Sequence, residues 1–187
     1  MHFPFAQQHT QKQHPPRGFT LVETLIAIVV LTLSIVGPFQ IVQGVLDSAY
    51  NARDELIGTG LAQEAMEYVR EVRDSNYLNN AHGGAVTWLM GFDGTSGTPD
   101  CYGNTCMMDP MSKMVYQCVG STCSYGPLYL DTNYVYNQQQ RGVATKFTRT
   151  VTLTNISANE TLVTVTVTWV NHGSRTIVLK EYLRNWL

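Results

Sequence analysis

Apolar and polar positions divide the chain into stretches with different periodicity. From Phe19 to Leu46 nearly every residue is apolar, and Glu23 carries the only charge among these 28 positions. A helix needs about 20 apolar residues to cross a bilayer, so this run is long enough to span a membrane. The pattern then becomes amphipathic, and the C-terminal part of the chain alternates with a period of two.

After the apolar run, apolar residues recur mostly at steps of three and four, which predicts one buried face of a continuing helix. These positions are Leu46, Ala49, Ala52, Leu56, Leu61, Ala65, Val69 and Val72. The opposite, polar face carries Asp47, Asn51, Asp54, Glu55, Gln63, Glu67, Arg70 and Asp74. We expect the helix to begin near Phe19 and to stop around residues 74–76. Gly37 and Pro38 predict a kink or local melting within it, because proline removes a backbone donor and clashes with the preceding turn.

The C-terminal part of the chain predicts an antiparallel meander with one buried face. Residues 162–170 alternate between valines with Trp169 on one side and threonines on the other. Residues 147–153 and 176–183 alternate in the same way, and turn-forming residues separate the runs. We expect the Val/Trp face to pack on the helix stripe of residues 56–72.

Between the helix and the meander the sequence is less regular. Residues 85–90 predict a short strand, and residues 91–140 predict an irregular region that is rich in glycine and tyrosine. All four cysteines fall in this irregular region, so any disulfide bond is expected there.

The cysteines form two similar units, Cys101 with Cys106 and Cys118 with Cys123, each with four residues between the thiols. This spacing leaves local, nested and crossed disulfide pairings open. We favour the local pairing, because each unit contains a glycine and can close by itself. The nested pairing fits a hairpin with its tip near residues 111–114. A four-thiolate zinc site is the alternative, although zinc ribbons use shorter gaps within each pair.

Composition indicates a single head rather than two domains and contains no catalytic constellation. The 187 residues carry a formal net charge of −2, and removal of a leader of residues 1–18 would leave ten basic residues against fourteen acidic ones. This balance makes nucleic acid an unlikely partner. No triad context or phosphate-binding glycine loop is present, so we expect no enzyme activity, no small-molecule substrate, no cofactor and no metal.

The most specific motif is Arg-Gly-Phe-Thr-Leu-Val-Glu at residues 17–23. A polar leader ends in Gly18, Phe19 opens the apolar run, and the Glu23 carboxylate lies four positions further in. A carboxylate within a membrane costs about 2.5–3.5 kcal/mol, which favours a functional role. A secretory signal would have an apolar core of only about 7–15 residues. The motif resembles the processing site of type IV prepilins and pseudopilins.

The resemblance implies specific chemistry at the motif. In that family a membrane peptidase cuts after the glycine and methylates the new amino terminus, which here places the cut between Gly18 and Phe19 and the methyl group on Phe19. The glutamate pairs with the N-terminal ammonium of a neighbouring subunit, the role implied for Glu23. The implied fold is α+β, a long N-terminal helix packed on a C-terminal antiparallel sheet.

The implied organisation has four parts. Residues 1–18 are a cleaved cytoplasmic leader, and residues 19–46 form a transmembrane and filament-core helix. Residues 47–75 continue as the amphipathic helix, and residues 76–187 form a periplasmic or extracellular head. Its meander occupies residues 143–184.

The resemblance favours a minor type IV pilin of the modification type. The Leu-Ala-Gln-Glu stretch at residues 61–64 and residues 185–187 look like such pilins, Pro38 lies slightly earlier than in the common pattern, and the C-terminal sheet lacks a cysteine pair. A pseudopilin of type II secretion or DNA uptake is the closest alternative. An uncleaved single-pass protein with a ligand-binding head is the alternative of another class.

Location and partners follow from the same resemblance. Lys12 and Arg17 precede the apolar run, which predicts a cytoplasmic N-terminus and a single pass through the inner membrane. The protein would then move to the pilus, the cell surface or the periplasm. The implied partners are other pilin subunits, the prepilin peptidase/N-methyltransferase and the inner-membrane assembly platform.

Overall fold

The computed structural model describes residues 18–118, 123, 126–171 and 173–185, apart from the side chain of Gln40. Contacts divide the chain into two units, one that ends at Ser48 and one that begins at Ala49. The second unit is called the head below.

Two sequence-based expectations concern residues outside this description. They are the leader, of which residues 1–17 are not described, and the terminal residues Trp186 and Leu187. For these the sequence remains the only basis for interpretation.

The described residues form one long helix followed by short and then long strands. In chain order they are α1 (Leu21–Ala81), a 3₁₀ turn (Thr95–Gly97), β1 (Cys106–Asp109), β2 (Met114–Gln117), β3 (Tyr129–Leu130), β4 (Tyr136–Asn137), β5 (Val143–Ala144), β6 (Thr148–Ser157), β7 (Glu160–Val170) and β8 (Ser174–Arg184). A five-stranded sheet has the order β2-β1-β6-β7-β8, and a three-stranded sheet has the order β4-β3-β5. The paired strands are antiparallel. The predicted α+β fold is confirmed.

The alternating runs of the sequence form the central strands of the large sheet. Along β7 the side chains of Val163, Val165, Val167 and Trp169 are buried, while the intervening threonines are partly exposed. Successive side chains of a strand point to opposite faces, so the valine face is the core face. The predicted antiparallel meander with a buried Val/Trp face is confirmed.

Helix α1 covers this face with a stripe of small and medium apolar residues. The buried members of the stripe are Leu61, Ala62, Ala65, Met66 and Val69, and they share one core cluster with the β6 and β7 side chains. The predicted packing of the helix on the sheet is therefore confirmed for this part of the stripe.

The prediction that Leu56 begins the buried stripe of α1 is wrong. Leu56 is 75% exposed, whereas Asp54, which was predicted on the polar face, is buried. Leu56 and Leu61 are five residues apart, which is about 140° around a helix of 3.6 residues per turn. Asp54 lies four residues before Gly58, and Gly58 lies three residues before Leu61. All three residues are buried, and this spacing places them on one face of the helix.

The helix also ends later than predicted, at Ala81 instead of residues 74–76. Two asparagines in its last turns bind the chain that follows. Asn76 Nδ2 donates to the Met90 carbonyl at 3.0 Å, and Asn80 exchanges two hydrogen bonds with the backbone of Val86 at 2.8 and 2.9 Å. Tertiary hydrogen bonds thus extend the helix beyond the point where composition predicts its end, and Gly83 follows with a positive φ of 92°.

Residues 85–90 form no strand, so that prediction is wrong. The backbone bends instead, with the Met90 N–H donating to Thr87 at 3.1 Å and the Phe92 N–H donating to Leu89 at 3.0 Å. The bends place both Leu89 and Phe92 in the core, which an extended segment would not do since these residues are three apart. The region of residues 91–140 is more regular than predicted, because the β1–β2 hairpin joins the large sheet.

Arg149 on β6 links three elements through a buried guanidinium. Its side chain is 0% exposed, and its Nη atoms donate to the carbonyls of Leu61 on α1 and Met108 on β1 at 3.1 and 3.2 Å. Nη1 also contacts the Glu64 carboxylate at 2.5 Å. A buried charge without such partners is strongly unfavourable, so Arg149 fixes how helix and strands meet.

A glycine pair tests the helix contact. A Cβ added at Gly58 would lie 2.9 Å from Trp169 Cζ3, whereas one at Gly60 meets nothing within 4 Å. Overpacking costs about 1–3 kcal/mol, so we expect Gly58→Ala to lower the free energy of unfolding. Gly60→Ala should raise it by about 0.5–1 kcal/mol through helix propensity. Urea unfolding in detergent micelles measures both, and equal effects of the two substitutions would contradict this packing.

Arg149→Met tests the buried guanidinium. Three oxygen acceptors would lose a charged donor, which is expected to cost about 1.5–3 kcal/mol of unfolding free energy. The matched control is Arg184→Met, because Arg184 is 73% exposed in its ion pair with Glu160 and should contribute no more than about 1 kcal/mol. The same urea titration reads both variants. A smaller loss for Arg149→Met than for Arg184→Met would refute the linking role.

Candidate functional site

The N-terminal motif lies at the start of α1, and Thr20 caps the helix. Thr20 precedes the first helical residue, and its Oγ1 accepts the backbone N–H of Glu23 at 3.3 Å. Its carbonyl accepts the N–H groups of Glu23 and Thr24 at 3.0 and 3.2 Å. Threonine followed three residues later by glutamate is the sequence of a capping box. The helix therefore begins just inside the motif, and Gly18 and Phe19 precede it as exposed, non-helical residues.

Glu23 lies in the first turn of α1 with its side chain exposed. Its backbone N–H is bound by Thr20, but among the described residues no donor contacts its carboxylate. A carboxylate near a helix N-terminus is stabilised by the macrodipole by about 0.3–1 kcal/mol, which is well below the cost of placing it in lipid. Glu23 is thus available to a cation from outside the chain.

The helix after Glu23 is apolar on all sides. The 18-residue window that qualifies as a membrane span has a mean hydropathy of 2.4, and none of it is buried within the protein. Its hydroxyl groups bind their own helix, as Thr32 Oγ1 donates to Val29 at 2.8 Å and Ser34 Oγ donates to Val30 at 2.7 Å. A hydroxyl satisfied in this way presents no unpaired donor to lipid.

Gly37 and Pro38 lie inside this helix, and the helical backbone continues through both. Local melting is therefore not seen, and the kink stays a prediction. An added Cβ at Gly37 meets nothing within 4 Å, so no contact within the chain requires glycine there.

The four cysteines of the head form the local pairs. Cys101 bonds Cys106, and Cys118 bonds Cys123, each across a sequence separation of five. Both sulfurs of the first pair are in fully buried residues within the core cluster. A sulfur in a disulfide is not a thiolate ligand, so the structure uses these residues as covalent staples and not as a four-sulfur cluster.

Several titratable side chains in the head are engaged in packing and ion pairs. Burial is the largest cause that raises the pKa of Tyr68, to about 12, and burial also raises the pKa of Tyr102 and Tyr136. These phenols are thus neutral at physiological pH. His82 is exposed directly after the end of α1, with Nδ1 2.7 Å from the Leu78 carbonyl oxygen. His172 lies outside the described residues.

A cleft of about 520 Å³ in the head is lined by paired charges. Its residues are Gln63, Glu64, Met66, Glu67, Arg70, Leu179 and Glu181. The Arg70 guanidinium binds both Glu67 and Glu181, and the Glu181 hydrogen bond is the largest cause that raises the pKa of Arg70. The arrangement joins α1 to β8 and contains no nucleophile next to a base.

Two features of the structure were not predicted from the sequence: the helix cap at Thr20 and the ion pair of Asp54. The Thr-x-x-Glu spacing of residues 20–23 indicates the cap, but the sequence analysis interprets these residues only as part of the processing motif. The ion pair of the buried Asp54 with Lys146 had no local signal, because the two residues are 92 positions apart.

Comparison with known proteins concerns the N-terminal motif. Residues 15–37 match the family described as "Prokaryotic N-terminal methylation motif". Neither the curated proteins nor the solved structures that were compared match this chain. The match includes Gly18, Phe19 and Glu23, and it implies processing by a prepilin peptidase and assembly with other pilins.

Three features are consistent with the same family resemblance: the N-terminal motif, the apolar helix, and the packing of α1 on the sheet in the head. The matched segment is the signature of type IV prepilins and pseudopilins. The exposed apolar helix that follows fits a membrane-anchored precursor. Residues 15–37 are therefore similar to the N-terminal segment of type IV pilin-like precursors.

Proposed function

We propose that this protein is a minor pilin of a type IV pilus, a structural subunit that is processed at its N-terminus and assembled through its first helix. The observation that carries the proposal is the methylation motif at residues 15–37, which leads directly into a helix whose described side chains are all exposed up to Ser48. Such an apolar surface requires lipid or other subunits around it.

The proposed cut lies between Gly18 and Phe19, and Phe19 then carries the N-methyl group. Both residues precede the helix, which suits a peptidase that needs an extended backbone. A Cβ at Gly18 would meet nothing within 4 Å in this chain. The need for glycine at this position therefore comes from the processing enzyme and not from the fold.

Glu23 is proposed to pair with the Phe19 ammonium of a neighbouring subunit. The charge of Glu23 has no partner among the described residues, although it lies in an apolar run. An unpaired charge in hydrocarbon is costly, and an ion pair lowers that cost. The pair would hold the new subunit in register as its helix leaves the lipid.

The proposed orientation is a cytoplasmic leader, a single pass through the inner membrane and an exported head. Lys12 and Arg17 precede the span, and positive residues favour the cytoplasmic side. The two disulfides of the head fit an oxidising compartment. The inner-membrane platform and the peptidase are the partners proposed for the precursor.

The proposal of a minor pilin, as opposed to a major pilin, is based on the positions of the disulfide bonds. The disulfides are in the region of residues 101–123, and the strands β6 to β8 contain no cysteine. The resemblance of residues 61–64 and 185–187 to modification-type pilins supports the same assignment. A pseudopilin shares the motif and the apolar helix, and the experiment below separates the two.

Tandem mass spectrometry of the N-terminal peptide tests the function. The protein is recovered separately from sheared surface filaments and from membranes. An N-methylated Phe19 in the filament fraction is expected for a pilin that assembles. The same terminus in membranes alone would favour a pseudopilin, and an intact Met1 in both fractions would contradict the proposal in favour of an anchored protein.

Gly18→Val is expected to abolish processing, because a branched side chain obstructs close approach of the peptidase to the backbone. Full-length protein should accumulate in the membrane, as seen by immunoblot and by the mass of the N-terminal peptide. Gly18→Ala is the control with the smallest added side chain, and it should retain part of the cleavage. Normal cleavage of Gly18→Val would place the cut elsewhere.

Glu23→Val is expected to be inserted and cut normally but to be depleted from filaments. We expect at least a tenfold loss, since about 1.4 kcal/mol already corresponds to a factor of ten. Glu23→Asp keeps the charge and should restore much of the incorporation. Quantitative immunoblots of filament and membrane fractions measure the ratio, and unchanged incorporation of Glu23→Val would show that the carboxylate is not used in assembly.

A further inference from the structure

Three polar side chains from distant parts of the chain meet at one carboxylate oxygen in the head. Asp54 lies on α1, Lys146 lies just before β6, and Asn171 lies in the turn between β7 and β8. The Lys146 Nζ and the Asn171 Nδ2 both donate to Asp54 Oδ2, the latter at 2.9 Å. One carboxylate thus brings together an amine and a carboxamide.

The carboxamide is held in place by several contacts. Asn171 Nδ2 also donates to Asn51 Oδ1 at 2.8 Å, so both Asp54 and Asn51 orient it. The Asn171 backbone N–H donates to the Gly173 carbonyl at 2.9 Å within the tight turn. The carboxamide is therefore held in one orientation on the loop between β7 and β8, beside the carboxylate that also binds the amine.

Aromatic side chains form the wall beside the amine. Lys146 Nζ lies 5.8 Å from the centroid of the Phe147 ring, which packs against Tyr136 and Trp169 at centroid distances of 6.3 and 5.6 Å. The Asp54 side chain is only 9% exposed, while the Lys146 side chain is 40% exposed. Proton transfer between charged groups is favoured by an apolar wall, and the open side allows a small product to leave.

We propose that Lys146 and Asn171 become joined by an intramolecular isopeptide bond, with Asp54 as the general base and acid. This modification is independent of the proposed filament role. An ordinary ion pair needs only an amine and a carboxylate, as in the exposed pair of Lys113 with Glu71. Here a carboxamide contacts the same oxygen, which completes the set of groups that amide exchange requires.

The reaction balances without any further reagent. Asp54 accepts a proton from the Lys146 ammonium, and the free amine attacks Cγ of Asn171 to form the new C–N bond. Asp54 returns the proton to Nδ2, the bond from Cγ to Nδ2 breaks, and ammonia departs with the second amine proton as ammonium. The carboxylate is regenerated, and no atom changes its oxidation state.

The product would tie the start of β6 to the turn between β7 and β8. These segments lie beside the part of α1 at which the head begins, residues 51–54. A covalent bond there would resist separation of the strands in a way that a hydrogen-bonded contact does not.

Peptide mapping of the full-length protein recovered from membranes tests the proposal. After reduction, trypsin cuts at Arg141, Arg149 and Arg175, and it also cuts at Lys146 unless that amine is acylated. The expected product is residues 142–149 branched to residues 150–175, lighter than the sum of the two peptides by one ammonia. Fragmentation should locate the branch at Lys146 and Asn171.

Wild-type protein alone can overturn the proposal. Complete recovery of residues 142–146 with no branched peptide would do so. Loss of ammonia from an unbranched peptide 150–175 would also do so if fragmentation places it at Asn171, and not at Asn155 or Asn159, because it then indicates a cyclic imide at Asn171.

Substitutions then assign the roles. Lys146→Arg and Asp54→Asn should both abolish the branched peptide, whereas the control Lys180→Arg should keep it, since Lys180 is exposed on β8. A branched peptide that persists in Asp54→Asn would refute the role of Asp54.

Discussion

The buried contact between α1 and the valine face of β7 is the interaction on which the folded head depends, because β7 and the part of α1 within the head are each apolar on one side only. The small residues Ala62 and Ala65 allow the helix to approach the sheet, and both are essentially unexposed. Arg149 then fixes the register between them through the Leu61 carbonyl. The disulfides, the β1–β2 hairpin and the polar cluster at Asp54 are all arranged around this contact.

The local periodicity of apolar residues predicts much of this arrangement. The strict alternation of residues 162–170 was sufficient to predict β7, its buried face and its antiparallel neighbours. The prediction failed where contacts between distant residues decide the outcome. Residues 85–90 alternate weakly but bend to bury Leu89 and Phe92 together, and the helix extends to Ala81 because Asn76 and Asn80 bind the next segment.

The candidate site was predictable for a different reason. Its chemistry is contained in six consecutive residues, 18–23, so no long-range contact is needed to recognise it. The lysine, aspartate and asparagine cluster is the opposite case, because its three members lie in separate parts of the chain. No periodicity in the sequence predicts that these three side chains contact one another, and the contact is seen only in the folded structure.

The fully buried Cys101–Cys106 bond has a consequence for the order of events in the cell. The Cys101 backbone N–H donates to the Phe92 carbonyl, and the Cys101 carbonyl accepts the Leu153 N–H; both partners are in the core, so the two sulfurs are covered once these segments close. Oxidants reach the pair only before or during this closure. A chain whose core closes before this pair is oxidised would therefore enclose two unjoined thiols, and the disulfide could form only after the core reopens.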